Sequence, residues 1–80
     1  MYIEILTPET KIYEGEAVLV QFPGTAGSFA VLKSHAPIIS TLNEGKIKIV
    51  TKEGTETYFQ ISGGVVEVKN DKIIVLAESA

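Results

Sequence analysis

The sequence has no cysteine, no arginine and no tryptophan, and only one histidine. Without cysteine, disulfides and thiolate metal sites are excluded, and a reducing compartment is the natural setting. Arginine is the favoured side chain for a two-pronged grip on phosphate and on base edges. Its absence, together with a formal net charge of -3, argues against nucleic acid as a partner. No apolar run approaches the roughly 18 residues of a membrane-spanning helix. Glu4 interrupts the apolar start where a signal peptide would need continuity. The chain reads as soluble, and any membrane role has to come through a partner. Amphipathic helical periodicity is also missing. At 80 residues the chain makes one domain, residues 1–80, whose small core leaves its stability marginal unless a partner adds to it.

What is present is a series of short alternating segments. Tyr2–Leu6 reads as a strand with Ile3 and Ile5 on one face, closed by Thr7-Pro8-Glu9. Lys11–Glu14 is a short edge piece ended by Gly15. Glu16–Phe22 reads as a longer strand, with Val18, Val20 and Phe22 alternating with Ala17, Leu19 and Gln21; two fairly apolar faces suggest a central position. Lys46–Thr51 places Ile47 and Ile49 inward and its lysines outward. Lys52–Thr55 is a hairpin connection to Glu56–Ile61. Ser62-Gly63-Gly64 then interrupts, as a bulge or a close backbone approach. Val65–Val68, a turn at Lys69-Asn70-Asp71 and a last strand, Lys72–Ala77, complete the series. Strands of this length between Gly, Pro and Asn turns imply an all-β sandwich or flattened barrel. The expected core is Ile3, Ile5, Val18, Val20, Phe22, Phe29, Val31, Ile47, Ile49, Ile61, Val66, Ile73 and Val75.

One stretch, Pro23–Gly45, does not read as plain strand and turn. Pro23-Gly24 and Gly27 predict a sharp reversal after Phe22. Phe29, Val31 and Leu32 form a short apolar run, broken by His35-Ala36-Pro37, with Ala36 held extended by the following proline. Such a loop presents Ser28, Lys33, Ser34 and His35 at one edge of the domain, where binding residues commonly sit.

Reactive constellations are scarce. His35 has no cysteine or second histidine with which to hold a metal, so a structural or contact role outweighs a catalytic one. Glu14 and Glu16 share a strand face, with a solvated edge the simpler reading. Pro23–Gly27 has glycines but neither the helix nor the Lys-Ser/Thr pair of a phosphate loop. Ser62-Gly63-Gly64 lacks the preceding glycine of a nucleophile elbow. Asn70-Asp71-Lys72 raises a lipoyl-type carrier as a rival, but Lys72 opens an apolar strand near the end instead of sitting mid-chain at a hairpin tip. No catalytic, cofactor-binding or metal-binding residue is assigned.

The segment PGTAGSFAVLKSHAPIISTLNEG at Pro23–Gly45 resembles the signature PG-x-x-G-x-F-G-I-L-P-x-H-A-P-L of the epsilon subunits of F-type ATP synthases. TPE-x-x-x-Y-E-G at Thr7–Gly15, SGG-x-x-E-V at Ser62–Val68 and VLAE at Val75–Glu78 are similar to the same family, in its order and spacing. Ala30 replaces a usual glycine, Lys33 a usual proline, and Ser28 stands where an acid is common. The resemblance implies two packed sheets of about five strands each. It implies a non-catalytic central-stalk subunit without cofactor, coupling ring rotation to ATP synthesis at the cytoplasmic face of the inner membrane if the source is bacterial. By position, Gly27, Ser28, Lys33, Ser34 and His35 match the contact with the polar loops of the c-ring. Gly63, Gly64, Val65 and Glu67 match the segment facing the gamma subunit, which makes the neighbour of the paired glycines partly intermolecular. The family's C-terminal helical hairpin has no counterpart in these 80 residues, implying coupling without inhibition through that hairpin. A free-standing all-β binding module remains the alternative.

Overall fold

The computed structural model describes residues 1–80. Alternation sets the faces of most strands. In β1 (Tyr2–Leu6) Ile3 and Ile5 are fully buried and their neighbours are not; β6 (Gly45–Val50) does the same with Ile47 and Ile49. The remaining strands are β2 (Lys11–Glu16), β3 (Leu19–Gly24), β4 (Gly27–Leu32), β5 (Ile38–Leu42), β7 (Glu56–Ile61), β8 (Gly64–Lys69) and β9 (Lys72–Ala77). They form one nine-stranded sheet in the order β2-β1-β9-β8-β5-β3-β6-β7, with β4 on the free side of β3. All pairings are antiparallel except β1 with β9.

The sheet folds over where β5 meets β3. Only one residue pair, Gly24 opposite Leu42, joins those strands, so the sandwich is a five-stranded layer and a four-stranded layer sharing one hinge. The two path ends, β2 and β7, approach across the open side, where the Tyr13 and Phe59 rings lie 5.1 Å apart at 53°. Fifteen buried apolar residues from both layers form the core between them.

The core differs from the sequence expectation at its edges. Val18 is 45% exposed, while Ala17 is buried. The expected strand Glu16–Phe22 is interrupted there. Val18 donates its N–H to the Val50 carbonyl, although Leu19 already stands opposite Val50. This bulge inserts one residue and reverses the facing of everything before it. Upstream, β2 runs through Gly15 instead of ending at it. Phe29 is only partly buried, because β4 is an edge strand. Leu42, Val68 and Ala77 join the core.

Pro23–Gly45 turns out to be mostly strand. β3 continues through Pro23 to Gly24, a two-residue turn of Thr25 and Ala26 follows, and β4 returns beside it. Pro23 is tolerated because its missing N–H would point away from β4, on the side where its carbonyl accepts the Asn43 N–H at 2.8 Å.

Candidate functional site

The strands run between two ends of the sandwich, and the hydrogen bonds that tie each end together define them. At the first end, Thr25 N–H donates to the Thr41 carbonyl at 3.1 Å and Glu78 N–H to the Gly63 carbonyl at 3.0 Å. At the second, Ala17 N–H donates to the Met1 carbonyl at 2.8 Å and Tyr2 N–H to the Asp71 carbonyl at 3.1 Å.

The residues matched to the ring contact are divided between these ends. Gly27 and Ser28 open β4 at the first end, where the Gln21 side-chain amide donates to Ser28 Oγ at 3.1 Å. Lys33, Ser34 and His35 follow β4 at the second end. At about 3.3 Å per residue, Ser28 and Leu32, at the two ends of β4, lie roughly 13 Å apart, and the turn holding Ser34 lies beyond Leu32. Ser28 and Ser34 do not form one loop, because the apolar run between them is a strand. The turn at the second end is closed by His35 N–H donating to the Leu32 carbonyl at 3.1 Å, with Ser34 in a left-handed conformation at φ 63°. Its exposed N–H is taken by Asp71 Oδ1 at 2.9 Å. His35 Nδ1 lies 2.6 Å from the Ala36 carbonyl, a geometry in which the ring donates to the backbone, and no cluster of metal-ligating side chains surrounds it.

Asp71 belongs to the β8–β9 hairpin. Asn70 and Asp71 both have positive φ, 53° and 61°, the conformation that a two-residue turn with the twist of its strands requires and that Asn and Asp tolerate. The Asp71 carboxylate also lies 3.8 Å from the N-terminal ammonium. Lys72 begins β9, its ammonium 5.8 Å from the Tyr2 ring centroid.

The segment matched to the gamma contact is likewise divided, by facing. Gly63 is buried. Gly64, at φ 154°, lies so close to β9 that a Cβ would stand 2.3 Å from the Leu76 carbonyl oxygen. The paired glycines thus make a close approach to the chain's own backbone, with Gly63 buried and Gly64 half-buried. Val65 and Glu67 do face outward. Their cross-strand neighbours are Leu76 and Thr41 for Val65, and Ile74 and Ile39 for Glu67. Ile39 is 72% exposed and Leu76 56%, so Ile39, Val65, Ile74 and Leu76 make an apolar strip across β5, β8 and β9. The doublets Ile38-Ile39, Val65-Val66 and Ile73-Ile74 carry its signature, because consecutive apolar residues in a strand leave one on each face.

Charge is concentrated on the outer side of β1 and β2. Lys11 Nζ lies 2.9 Å from Glu4 and 3.2 Å from Glu14, and Glu14 accepts the Tyr2 hydroxyl. That hydroxyl bond, then Lys11, hold the Glu14 carboxyl below its ordinary value. The same bond pushes Tyr2 up to about 12. Glu16 instead lies 3.6 Å from the N-terminal ammonium, so Glu14 and Glu16 serve different contacts. Nothing in either arrangement pairs a base with a nucleophile.

With this geometry in place, the chain can be set against known proteins. Residues 1–80 match the family described as ATP synthase, Delta/Epsilon chain, beta-sandwich domain. An ATP synthase epsilon chain of Campylobacter hominis is 38% identical over 81 residues, covering 100% of this chain and 62% of the relative. That of Caulobacter vibrioides is 40% identical, covering 100% of this chain and 92% of the relative. That of Chlorobaculum tepidum is 41% identical over 76 residues, covering 95% and 86%. The chain thus spans about three-fifths of some relatives and nearly all of others. Among solved structures, a chain of the Euglena gracilis mitochondrial ATP synthase has the same fold, with a TM-score of 0.90 at 18% identity over 96% of this chain and 49% of that one. A chain from the central stalk/c-ring structure of the Tetrahymena thermophila enzyme gives 0.78 at 15% identity, over 95% and 61%.

Proposed function

The chain belongs to the ATP synthase delta/epsilon beta-sandwich family, and on that premise we propose that it is a non-catalytic rotor element that clamps the gamma subunit and meets the c-ring. Its task is rigid adhesion, so that torque from the ring reaches the stalk without loss. It would be held at the membrane surface, on the cytoplasmic side in a bacterium, only through the complex.

The observation that carries the gamma contact is the apolar strip of Ile39, Val65, Ile74 and Leu76 around Glu67. Adjacent apolar side chains on one sheet face have no partner within the chain, and such patches commonly mark protein interfaces. Gly63 and Gly64 contribute by letting β8 start tight against β9, which sets Val65 in the strip.

The ring contact is narrower than the motif alone suggests. A ring below the domain meets one end of the sandwich, and the two halves of the motif are at opposite ends. We assign the ring-facing part to Gly27 and Ser28, beside the exposed and uncharged Thr25-Ala26 turn. Lys33, Ser34 and His35 then face away from the ring, braced by Asp71.

Two measurements on the assembled enzyme test this reading. Leu76→Lys is expected to weaken capture of the gamma subunit at least tenfold, about 1.4 kcal/mol, with the fold intact by circular dichroism; undiminished capture would remove the strip from the interface. Ser28→Cys and His35→Cys, made separately in a chain without native cysteine, are expected to differ. Ser28→Cys cross-links to cysteines in the ring loops and His35→Cys does not. The reverse result would invert the orientation, and failure of both would end the ring assignment.

A further inference from the structure

Three strands have an edge free along their whole length, β2, β7 and β4; a fourth, β5, is open only over Ile38–Ser40, a stretch that Pro37 precedes and the Leu42–Gly24 pairing ends. The first two carry charge along their free edge, Lys11, Glu14 and Glu16 in β2 and Glu56 in β7, and they close towards each other through Tyr13 and Phe59. β4, GSFAVL, has no charge and no proline, the devices that usually keep an open edge from pairing. We propose that β4 is a self-pairing edge, and that two copies of the free chain associate through antiparallel β4–β4 hydrogen bonding. This does not rest on the rotor reading.

The register follows from which backbone groups face outward. Gly24 and Gly27 flank a two-residue turn, so they form a hydrogen-bonded pair. Alternation then turns Phe29 and Val31 towards β3, and Ser28, Ala30 and the N–H of Leu32 towards the open edge. The Pro23 carbonyl, opposite Ser28 and bonded to Asn43, points away from β4, as this pattern requires. A twofold axis at Ala30 sets Ala30 against Ala30 of the second copy and Ser28 against its Leu32. The smallest side chain of the three lies on the axis, and no like charges meet. Leu32, 53% exposed in the single chain, gains a neighbour. The four-stranded layer becomes eight-stranded, an isologous contact of the kind that closes without forming fibres. A single strand edge buries much less than the roughly 1,000 Å² of a permanent interface, so the pair forms at high concentration and separates on dilution.

The test is sedimentation equilibrium of the 80-residue chain from micromolar to millimolar concentration, with amide hydrogen exchange by NMR at both limits. The expected result is a mass rising towards that of two chains, with several-fold slower exchange at Ser28 and Ala30 as concentration rises. Ala30→Pro removes only an outward N–H, which an edge strand tolerates, and is expected to abolish both effects. Ala30→Lys is expected to do the same by charge, and it decides the matter if the proline variant unfolds. A chain that stays monomeric throughout would overturn the proposal. So would association that persists in both variants, or that is lost in Leu76→Lys instead, which would place the contact on the apolar strip.

Discussion

Asp71 accepts the backbone N–H of Ser34 at 2.9 Å, across 37 positions of sequence. The two residues belong to different turns, and both have positive φ. One carboxylate therefore fixes the strained turn after β4, stands within 3.8 Å of the N-terminal ammonium and sits in the hairpin that launches β9. Asp71→Ala removes the acceptor and puts alanine where left-handed backbone is disfavoured, at an expected cost of about 1–3 kcal/mol. Asp71→Asn keeps an acceptor and tolerates the same φ, so it is expected to lose less. Urea midpoints of the two variants give the comparison. Equal losses would show that the carboxylate charge, not the Ser34 hydrogen bond, is what matters.

Gly64 is the position at which a natural interface experiment would mislead. Any side chain there meets the Leu76 carbonyl at 2.3 Å and the Ala77 Cα at 3.0 Å, both backbone. Gly64→Val is expected to prevent β8 and β9 from pairing, with loss of the cooperative unfolding transition in a thermal melt. Reduced gamma binding by that variant would therefore report misfolding. A stable, cooperatively folding Gly64→Val chain would show that β9 can withdraw, and would make the variant a usable test of Gly64 as a contact.

Much of the fold was legible because alternation is a strong signal wherever one strand face is buried. Period alone places Ile3, Ile5, Ile47 and Ile49 inward; Ile73 and Val75 lie in a continuous apolar run and are expected in the core, and all six are fully buried. Val18 escaped this reasoning because a bulge changes the phase without changing composition. The long stretch after Phe22 looked irregular because its proline and glycines suggested a loop. In fact Pro23 occupies the one kind of strand position that needs no N–H. The division of the candidate site between two ends was hidden for the same reason: a motif read as a loop implies neighbours, whereas read as a strand it implies separation. In the sequence Asp71 reads as part of a turn and of an Asp-Lys pair, since a contact to Ser34 has no local sequence signature.

Closure of the open side makes a graded prediction about aromatic residues. Phe22 is 1% exposed and packs its ring 5.4 Å from that of Phe29. Phe22→Ala is expected to cost about 3–5 kcal/mol, a large part of what a small domain has. Phe59 is only partly buried, and its main ring contact is Tyr13 on the opposite edge. Phe59→Ala is expected to cost about 2 kcal/mol, from partial burial and the lost aromatic pair. Chemical denaturation of both variants checks the order. A double-mutant cycle with Tyr13→Leu isolates the seam itself, and a coupling of zero would mean that the two edges do not support each other.

The tyrosines make the last prediction, because two of the three have an acidic neighbour as hydrogen-bond acceptor. The Tyr2 hydroxyl donates to Glu14, which raises its value to about 12 first through that bond and then through desolvation and the carboxylate charges. Tyr58 donates to Glu56 at 2.9 Å and is raised for the same first reason. The folded value of Tyr2 lies above its unfolded value near 10. Its stabilising contribution is therefore fully present below about pH 10 and disappears as pH rises through about 12. Glu14 has the opposite sign. Its depressed value means that its contribution is present above the ordinary carboxylate range and is lost on acidification. Ultraviolet titration of phenolate formation in the folded chain should show late ionisation, with the latest component absent in Tyr2→Phe. Glu14→Gln removes the charge that opposes phenolate formation while leaving an acceptor, so Tyr2 should move back towards its ordinary value and Tyr58 should not move. If Tyr2 ionised at its ordinary value in the unmodified chain, the Tyr2–Glu14 bond would not persist in solution, and Lys11 would be left as the sole partner holding Glu14 down.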